Sequence, residues 1–495
     1  MESDDDFRAV KLPFSPQEYA CTWHLPRIQT EVESNEAHQD DDGKDGFIKV
    51  NGTLDLTVGH HPHGSFYGEL PIVWEEDSTQ FPQINDYDCL TGKLSTGAHF
   101  ALINGQYNYW LPGQGYVNGA FAILSRKPFK HNEYRTYQSI ELQLEGLDKI
   151  IDVNPAKIQA DPGKKSIFSA TCSNACWEWR SDDVSMKLHF IGRARRDSFN
   201  FTMRFAPVLQ IKANSPLTIV DWWLKWTVPI QELLASAIGR TPDVMYMLAI
   251  ADRTPKREWK DQIFRWDIKQ ESLYPNADEI KKSKPAIKIQ EDGVNLLDLL
   301  IRWRELHASH HPLIETYDSL AFSADQHPRS RFLLLIQALE GLYGFEHQEE
   351  RCQQRQAYRE EKRKFLDRMR EITKNKIITE DDYRFLRDNL MPNPFITLES
   401  ALIAILDTLS GDVKEKLAGS ALIRKVRESE ANPNMKVEAV LAFVRNKLSH
   451  GATSFEPGDL DDVAETLDRV VRAELLRVLG APEACRLRLL GPSEA

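Results

Sequence analysis

Residues 434–451, NMKVEAVLAFVRNKLSHG, place apolar side chains at intervals of three and four residues. Side chains at this spacing share one face of an α-helix, and such a face packs against other helices. Pro433 precedes the stretch and Gly451 ends it, as is typical of the two ends of a helix. The pattern predicts an amphipathic helix over 434–449 within a group of packed helices. Its apolar face comprises Val437, Val440, Leu441, Val444 and Leu448.

The same helical period continues on both sides of this stretch, from about residue 295 onward. All 11 tryptophans of the chain lie at or before Trp303. The amino-acid composition therefore changes at about the same place as the spacing of the apolar residues. We therefore predict an all-α helical bundle over 295–495. Its candidate helices are 296–309, 328–346, 350–372, 379–389, 398–409, 412–429, 434–449 and 457–478.

The first half of the chain consists of short segments separated by turns, and several of them alternate apolar and polar residues. This alternation is typical of half-buried β-strands, and their regular spacing favours a β-sandwich or a related all-β domain. A helix is expected over 220–240, where Trp222, Trp223 and Trp226 should fill a core or a domain interface. Examples of candidate strands are 47–58, 65–74, 98–105, 119–125, 139–147, 186–194 and 199–211.

Residues 251–294 are charged and carry proline at intervals, as in KKSKPAIKIQEDG, which suggests a connector between two domains. We therefore predict a multidomain α+β protein. Its parts are a mostly-β, sandwich-like domain over 1–250, the connector over 251–294 and the helical domain over 295–495. A length of 495 residues agrees with two or three domains, because it exceeds what one ordinary core holds.

Composition narrows the class of protein. A hydrophobic content of 41% and a charged content of 27% are typical of a soluble globular chain. Six cysteines form no disulfide framework at this length, which favours a reducing compartment. The N-terminal MESDDDFRAVKLPF lacks the apolar segment of a signal peptide, and no apolar run approaches the roughly 20 residues of a membrane span. We expect a cytoplasmic protein with no membrane partner. Because the net charge is −12, we expect any contact with nucleic acid to depend on a local basic patch.

An arginine followed five residues later by a histidine occurs at Arg126/His131, Arg302/His307 and Arg445/His450. Residues five apart in a helix lie roughly 140° apart around its axis and do not converge. At the third pair, Gly451 allows the helix to unwind and swing the imidazole back beside Arg445, and Asn446 adds an amide. Two interpretations stay open: a site that handles phosphodiesters, or a helix C-terminus with favourable positive charge.

The segments PRSRFLLLIQALEGLYG (328–344) and VRNKLSHG (444–451) together resemble the HEPN superfamily (higher eukaryotes and prokaryotes nucleotide-binding domains) over roughly residues 295–480. The layout of a long β-rich half followed by such a bundle resembles the ApeA family of bacterial anti-phage abortive-infection proteins. The resemblance implies a metal-independent endoribonuclease that acts as a homodimer or a higher assembly. It also implies transfer RNA as the target and a phage structural protein as the trigger, sensed by the N-terminal domain.

The resemblance also implies roles for individual residues. Arg445 would hold the scissile phosphate and stabilise charge in the transition state. His450 would act as general acid or base on the ribose 2′-OH or the leaving 5′-oxygen, and Asn446 would orient the phosphate or the histidine. Glu340 would pair with Arg445, although an exposed or capping carboxylate is an equal alternative. Tyr343 would line the cleft or simply pack, and Lys447 is taken as a supporting residue of the motif.

Residues 351–376, RCQQRQAYREEKRKFLDRMREITKNK, carry ten lysines and arginines and four acids, a local net charge of +6. A helix this basic is a candidate phosphate-binding surface, with Arg355, Arg359, Lys362 and Arg363 as the RNA contacts. The alternative is a solvated helix with ion pairs one turn apart.

Metal and cofactor signals are weak. Cys172 and Cys176 have a metal-like spacing, but a structural zinc needs two more ligands, for which His189 and Cys89 are the candidates. Two packed thiols are the alternative. HHPHG (60–64) fits a turn better than a metal site. We therefore expect no metal and no cofactor. The rival to the nuclease hypothesis is a non-catalytic HEPN dimerisation or scaffold protein with a ligand-binding β domain.

Overall fold

The computed structural model shows strands between residues 18 and 264 and helices between 289 and 490, which confirms the multidomain α+β fold class. Residues 1–300 and 301–495 form two compact units. The structure describes residues 10–26, 47–68, 83–111, 114–131, 133–153, 155–159, 169–172, 175–196, 201–254, 257–273, 275, 280, 284–321, 326–375, 377–391, 398–408, 411–451 and 454–491.

The first unit is built mainly from strands, because apolar and polar residues alternate along much of its sequence. Helical segments interrupt the strands at Leu147–Ile151 and between β12 and β13, and two more helices follow the last strand. Its strands are β1 Glu18–Pro26, β2 Phe47–Asp55, β3 His63–Tyr67, β4 Gln83–Leu94, β5 His99–Leu111, β6 Gln114–Ser125, β7 Tyr137–Leu144, β8 Ala156–Gln159, β9 Ser169–Cys172, β10 Cys176–Arg180, β11 Val184–Arg196, β12 Phe201–Leu217, β13 Val244–Thr254 and β14 Arg257–Phe264. Its helices are α1 Leu147–Ile151, α2 Ile219–Trp222, α3 Val228–Ile238, α4 Ile289–Asp292 and the first part of α5 Leu296–Ala308.

Within the described residues, twelve strands form one sheet in the order β10-β11-β12-β7-β13-β14-β6-β3-β2-β1-β4-β5, while β8 and β9 pair separately. β5 also pairs with β6, so β6, β3, β2, β1, β4 and β5 close into a ring. The expected sandwich-like packing therefore takes the form of one continuous sheet that closes on itself over part of its width.

Apolar side chains fill the ring. Trp23 and Phe100 are fully buried, with ring centroids 4.7 Å apart in an edge-to-face arrangement. The indole nitrogen of Trp23 donates to the Ser65 carbonyl at 3.0 Å, so its one polar atom is satisfied. This core explains why alternate residues of β1 are apolar: Tyr19, Cys21, Trp23 and Leu25 all belong to it.

The predicted helix over 220–240 is present as α2, a π-helical turn over Trp223–Thr227, and α3. Trp222, Trp223 and Trp226 are all buried, as expected for residues that fill a core. The Trp222 indole nitrogen donates to the Tyr137 carbonyl at 3.0 Å, which fixes the helical segment on β7.

Residues 257–264 correct the predicted connector, because they form strand β14 between β13 and β6. Asp261 is buried there and accepts hydrogen bonds from Arg135 at 2.8 Å and from the Tyr137 hydroxyl at 3.0 Å. Burial and the nearby carboxylate raise the pKa of Tyr137, so its hydroxyl keeps the proton that it donates. Asp261, one of the charged residues that suggested a connector, therefore lies inside the sheet, where Arg135 balances its charge.

The second unit is helical, and Phe332, Leu335, Ile336 and Leu339 on one central helix are fully buried in its core. The predicted helix over 412–429 is divided in two, because Ser420 is extended and its hydroxyl caps the second half. No helix among the described residues has the length and apolar character needed to cross a membrane. The helices after α5 are α6 Pro312–Ala321, α7 Pro328–Glu346, α8 Gln348–Lys374, α9 Glu380–Asn389, α10 Leu398–Asp407, α11 Gly411–Gly419, α12 Ala421–Ser429, α13 Val437–Ser449, α14 Pro457–Val478 and α15 Glu483–Leu490.

Substitution of Asp261 by Asn should destabilise the first unit by about 3 kcal/mol, because it leaves the mostly buried Arg135 guanidinium without its counter-charge. Urea unfolding followed by tryptophan fluorescence measures this, since Trp303 alone of the 11 tryptophans lies beyond residue 300. Glu133→Gln, which breaks an exposed pair with Lys130, is the control and should cost less than about 1 kcal/mol. Equal losses for the two variants would contradict the role given to Asp261.

Candidate functional site

Helix α13 begins at Val437, three residues later than predicted, and ends at Ser449. Its apolar stripe is buried as expected at Val440, Leu441, Val444 and Leu448. Gly451 adopts a left-handed φ of +68°, which ends the helix in a conformation that glycine takes without a Cβ penalty. The polar residues of the motif are therefore held at the C-terminal end of a firmly packed helix.

Arg445, Asn446 and Glu340 form a cluster across α13 and α7. One terminal nitrogen of Arg445, Nη2, lies 3.2 Å from Glu340 Oε2, and the other, Nη1, donates to Asn446 Oδ1 at 3.2 Å. The Arg445 side chain is 35% exposed and that of Glu340 is 41% exposed. Both ends of the guanidinium fork are thus oriented, while its remaining N–H groups stay accessible to an anion. The expected Arg445–Glu340 pair is present in the structure.

Arg329, at the start of α7, is a second arginine at this site that sequence reasoning did not single out. Its Nη2 donates to the carbonyl of Leu448, one of the last carbonyls of α13, which have no partner within their own helix. Arg329 and Glu340 are separated by three helical turns, about 16 Å, and therefore lie on the same face of α7. The spacing of Arg329 from Glu340 was the one feature of the sequence that could have indicated a place for Arg329 at the site. Its partner is a backbone carbonyl, and the residue types of α13 do not show which carbonyl accepts a hydrogen bond.

His450 differs from expectation. Its backbone is still right-handed, with φ −86° and ψ −4°, and the left-handed turn comes one residue later at Gly451. Its Cβ therefore stays roughly 140° around the axis from that of Arg445, and the imidazole does not swing back beside the guanidinium. His450 is exposed, and its ring makes no hydrogen bond, ion pair or ring contact within the part of the chain that the structure describes. Asn446, four residues earlier, is its neighbour on the helix surface.

Lys447 and Tyr343 lie beside the cluster without joining it. The Lys447 amine is 5.2 Å from the Phe443 ring centroid, one turn back along α13. The Tyr343 ring packs against His347, with centroids 4.4 Å apart. Of the two interpretations of Tyr343, the structure therefore favours packing.

The basic segment is confirmed as a helix, α8, and no residue of α8 is buried. Arg355, Arg359 and Arg363 are exposed. Lys362 instead donates to the carbonyls of Leu390 at 2.7 Å and Met391 at 3.1 Å. It thus supplies positive charge to the C-terminal end of α9, a structural use that sequence pattern did not predict.

The metal candidates are not assembled in the described residues, where no group of three His, Cys, Asp or Glu side chains suits a metal ion. Cys176 lies opposite His189 in the β10–β11 pair. Cys89 is buried in β4, and burial raises the pKa of its thiol to about 11. The side chain of Cys172 lies outside the described residues. Around HHPHG, His63 Nδ1 is 2.9 Å from the His61 carbonyl, as in a local turn.

Replacement of Arg329 by Gln should loosen the end of α13, because it removes a charge-assisted hydrogen bond worth about 1.5 kcal/mol, or about tenfold in local opening. Hydrogen exchange at the amides of His450 and Gly451, which bond to Asn446 and Leu448 carbonyls, measures the change. Arg331→Gln is the matched control, since Arg331 pairs with Asp461 on α14. Unchanged protection in Arg329→Gln would show that the contact does not hold the helix end.

Comparison with known proteins identifies the first unit. Residues 39–303 match the family described as ApeA N-terminal domain 1, and this segment is more than half of the 495-residue chain. No curated protein and no solved structure matches the chain. The matched segment contains β2 to β14 and ends close to the boundary between the two compact units. The chain therefore belongs to the ApeA family of anti-phage defence proteins.

Proposed function

We propose that the helical unit is a HEPN-type domain and that the chain is a metal-independent endoribonuclease used in abortive infection. The observation that carries the proposal is the cluster at the end of α13. There Arg445 is oriented by Glu340 and Asn446 and stays partly exposed, and His450 is exposed at the end of the same helix. Family membership supports a role in defence, and the cluster supports the chemistry.

Arg445 suits the binding of a phosphodiester. A guanidinium presents paired N–H groups that match two phosphate oxygens, and here two contacts fix its plane before any ligand arrives. Stabilising the charge that develops on the phosphate in the transition state is then the contribution of Arg445. Asn446 accepts from Arg445 through Oδ1, which leaves its Nδ2 amino group to donate to a phosphate oxygen.

His450 supplies the proton transfer. The exposed imidazole at the end of α13 is accessible to substrate. Acting as base, it takes the proton of the ribose 2′-OH as that oxygen attacks phosphorus. Acting as acid, it protonates the leaving 5′-oxygen. The internal 2′-OH nucleophile restricts the reaction to RNA and removes the need for a metal-bound water.

The separation of His450 from Arg445 favours an active site composed of two chains. The two side chains leave α13 in different directions, so one copy does not present both to the same phosphate. Two antiparallel copies of α13, related by a twofold axis perpendicular to the helix, would place His450 of one beside Arg445 of the other. The active species we propose is therefore a homodimer or a higher assembly.

The proposal extends to a substrate and a trigger, which the family suggests. We propose transfer RNA as the target and a phage structural protein as the trigger, which the β-rich unit detects. Exposed arginines on α8, among them Arg355 and Arg363, would contact RNA phosphates outside the cleft. Lys362 is better explained by its contacts with Leu390 and Met391, so we do not assign it to RNA.

Complementation between two inactive variants tests the composite site. Arg445→Ala and His450→Ala should each lower RNA cleavage in phage-infected bacteria by about a hundredfold or more. Co-production of both variants should restore about a quarter of wild-type cleavage, since half of the dimers are mixed and each retains one intact site. Denaturing gels of cellular RNA measure the fragments.

The chain provides its own control for this experiment. Arg302 and His307 have the same spacing on α5 and are exposed, so a double Ala variant there should cut like wild type. No recovery on co-production would contradict the two-chain site. Full cleavage by the single variants would contradict the nuclease proposal itself and leave α13 as a structural helix end of a scaffold protein.

A further inference from the structure

Helices α8 and α9 form an antiparallel pair, which we call the arm. The Tyr358 hydroxyl donates to the Met391 carbonyl at 3.0 Å, and Lys362 Nζ donates to the Leu390 carbonyl at 2.7 Å. These bonds hold the end of α9 beside the middle of α8. Since α9 starts only six positions after α8 ends, its first turn lies near the last turn of α8. The two helices therefore run side by side in opposite directions.

The arm is long but has no buried residue. α8 has 27 residues and α9 has ten, and none of them is buried. Apolar side chains recur at three- and four-residue intervals on α8, yet Phe365, Met369 and Ile372 are only half-buried. Helices in proteins take most of their stability from packing an apolar face against other elements. A pair of helices that stays this open needs a further surface to cover it.

The arm also carries strongly exposed apolar side chains. Among the large apolar residues that the structure describes, Ile377 and Phe385 are the two most exposed, at 73% and 68%. Ile377 lies between the two helices and Phe385 lies within α9. Phe385 is roughly 100° around the axis from Leu386 and roughly 200° from Tyr383, both of which are half-buried. It therefore points away from the half-buried side of α9.

The two helices carry charge of opposite sign. Residues 351–376 have a net charge of +6, whereas residues 379–390, TEDDYRFLRDNL, contain four acids and two arginines. Asp381 and Asp388 are neighbours of Phe385 on the helix surface, one turn before it and one turn after it. They pair within α9, with Arg384 and Arg387 respectively, so these acids do not neutralise α8. The outer side of α9 is thus an apolar residue between acids.

We propose that the arm binds the arm of a second copy of this chain. A twofold rotation sets α8 of each copy against the outer side of α9 of the other. This contact brings a basic helix to the acids that flank Phe385 and removes that ring from water. The product is a bundle of four helices, in which side chains that are half-buried in a single arm become core.

A second copy suits the arm better than RNA does. A phosphate backbone would attract the arginines of α8, but the four acids of α9 would repel it, and Ile377 and Phe385 would stay in water. A second arm supplies an apolar surface together with the charge that each helix lacks. The bundle covers only part of α8, so arginines on its open face remain available to RNA.

The inference rests on the proposed function for its purpose, since a two-chain site needs a contact that holds two copies together. Sedimentation equilibrium of the full chain, after nuclease treatment, measures the dissociation constant of the dimer. Ile377→Glu/Phe385→Glu should raise this constant by about a hundredfold or more, because it puts charge where the arms meet. Leu487→Glu, at a residue of α15 that is 54% exposed, is the control and should change it by less than about twofold.

A second variant tests the charge complementarity without touching an apolar residue. Asp381 and Asp388 have exposed side chains, so Asp381→Lys/Asp388→Lys leaves the packing of the single chain intact. It should raise the dissociation constant by about tenfold at low salt and by less at high salt, where the attraction to α8 is screened. A loss that does not depend on salt would contradict the pairing of α8 with α9.

Four results would overturn the inference. These are a single-chain mass for the wild type, an unchanged dissociation constant in Ile377→Glu/Phe385→Glu, an equal loss in Leu487→Glu, and a dimer that nuclease treatment abolishes. The last result would identify RNA as the link between two copies.

The same preparations separate the inference from the proposed function. Arg445→Ala and His450→Ala should still form dimers, because neither residue belongs to the arm. Full RNA cleavage by these two variants would remove the proposed function and leave the arm contact in place. Cleavage that depends on Arg445 and His450 in a chain whose arm variants dimerise normally would remove the inference alone.

Discussion

Two arginine contacts between α7 and α13 determine the geometry of the candidate site. Arg445 on α13 pairs with Glu340 on α7, and Arg329 on α7 binds the Leu448 carbonyl on α13. Each helix thus supplies one guanidinium and one acceptor, and the two contacts join α7 and α13 at different positions. Arg329 adds a second donor to the Leu448 carbonyl, which also accepts from the Gly451 amide at 3.1 Å, so the contact strengthens the end of α13. With both contacts in place, Arg445 is oriented in advance for an anion.

Local charge matters more than net charge in this protein. A chain with a net charge of −12 should repel a polyanion, yet the end of α13 and the exposed face of α8 carry local positive charge. They differ in construction. At α13 a carboxylate orients the arginine, whereas α8 carries exposed arginines along one helix. The first arrangement suits a defined geometry at one phosphate, and the second suits attraction along a backbone.

The sequence was most informative where structure depends on local pattern. Helices 328–346 and 457–478 were predicted to the residue, because a long apolar stripe and proline starts define them. The ring of strands was not predicted, since β5–β6 closure depends on pairing across the sheet. Strand β14 was mistaken for a connector because Arg135 and Tyr137, far away in sequence, neutralise Asp261. At the site, the resemblance to HEPN proteins suggested the Arg445–Glu340 pair, with an exposed or capping carboxylate as the alternative. The direction of His450 was not predicted, because a single backbone turn decides it.

The chemistry of the cut ends tests the central claim most directly. RNA fragments from phage-infected bacteria that produce the wild-type protein should carry 2′,3′-cyclic phosphates, or the phosphates formed from them, and 5′-hydroxyl ends. These ends follow from attack by the ribose 2′-OH, which His450 and Arg445 are proposed to promote without a metal. Fragments with 3′-hydroxyl and 5′-phosphate ends would indicate attack by an external water. Such ends would contradict the assignment of the α13 cluster as the catalytic site.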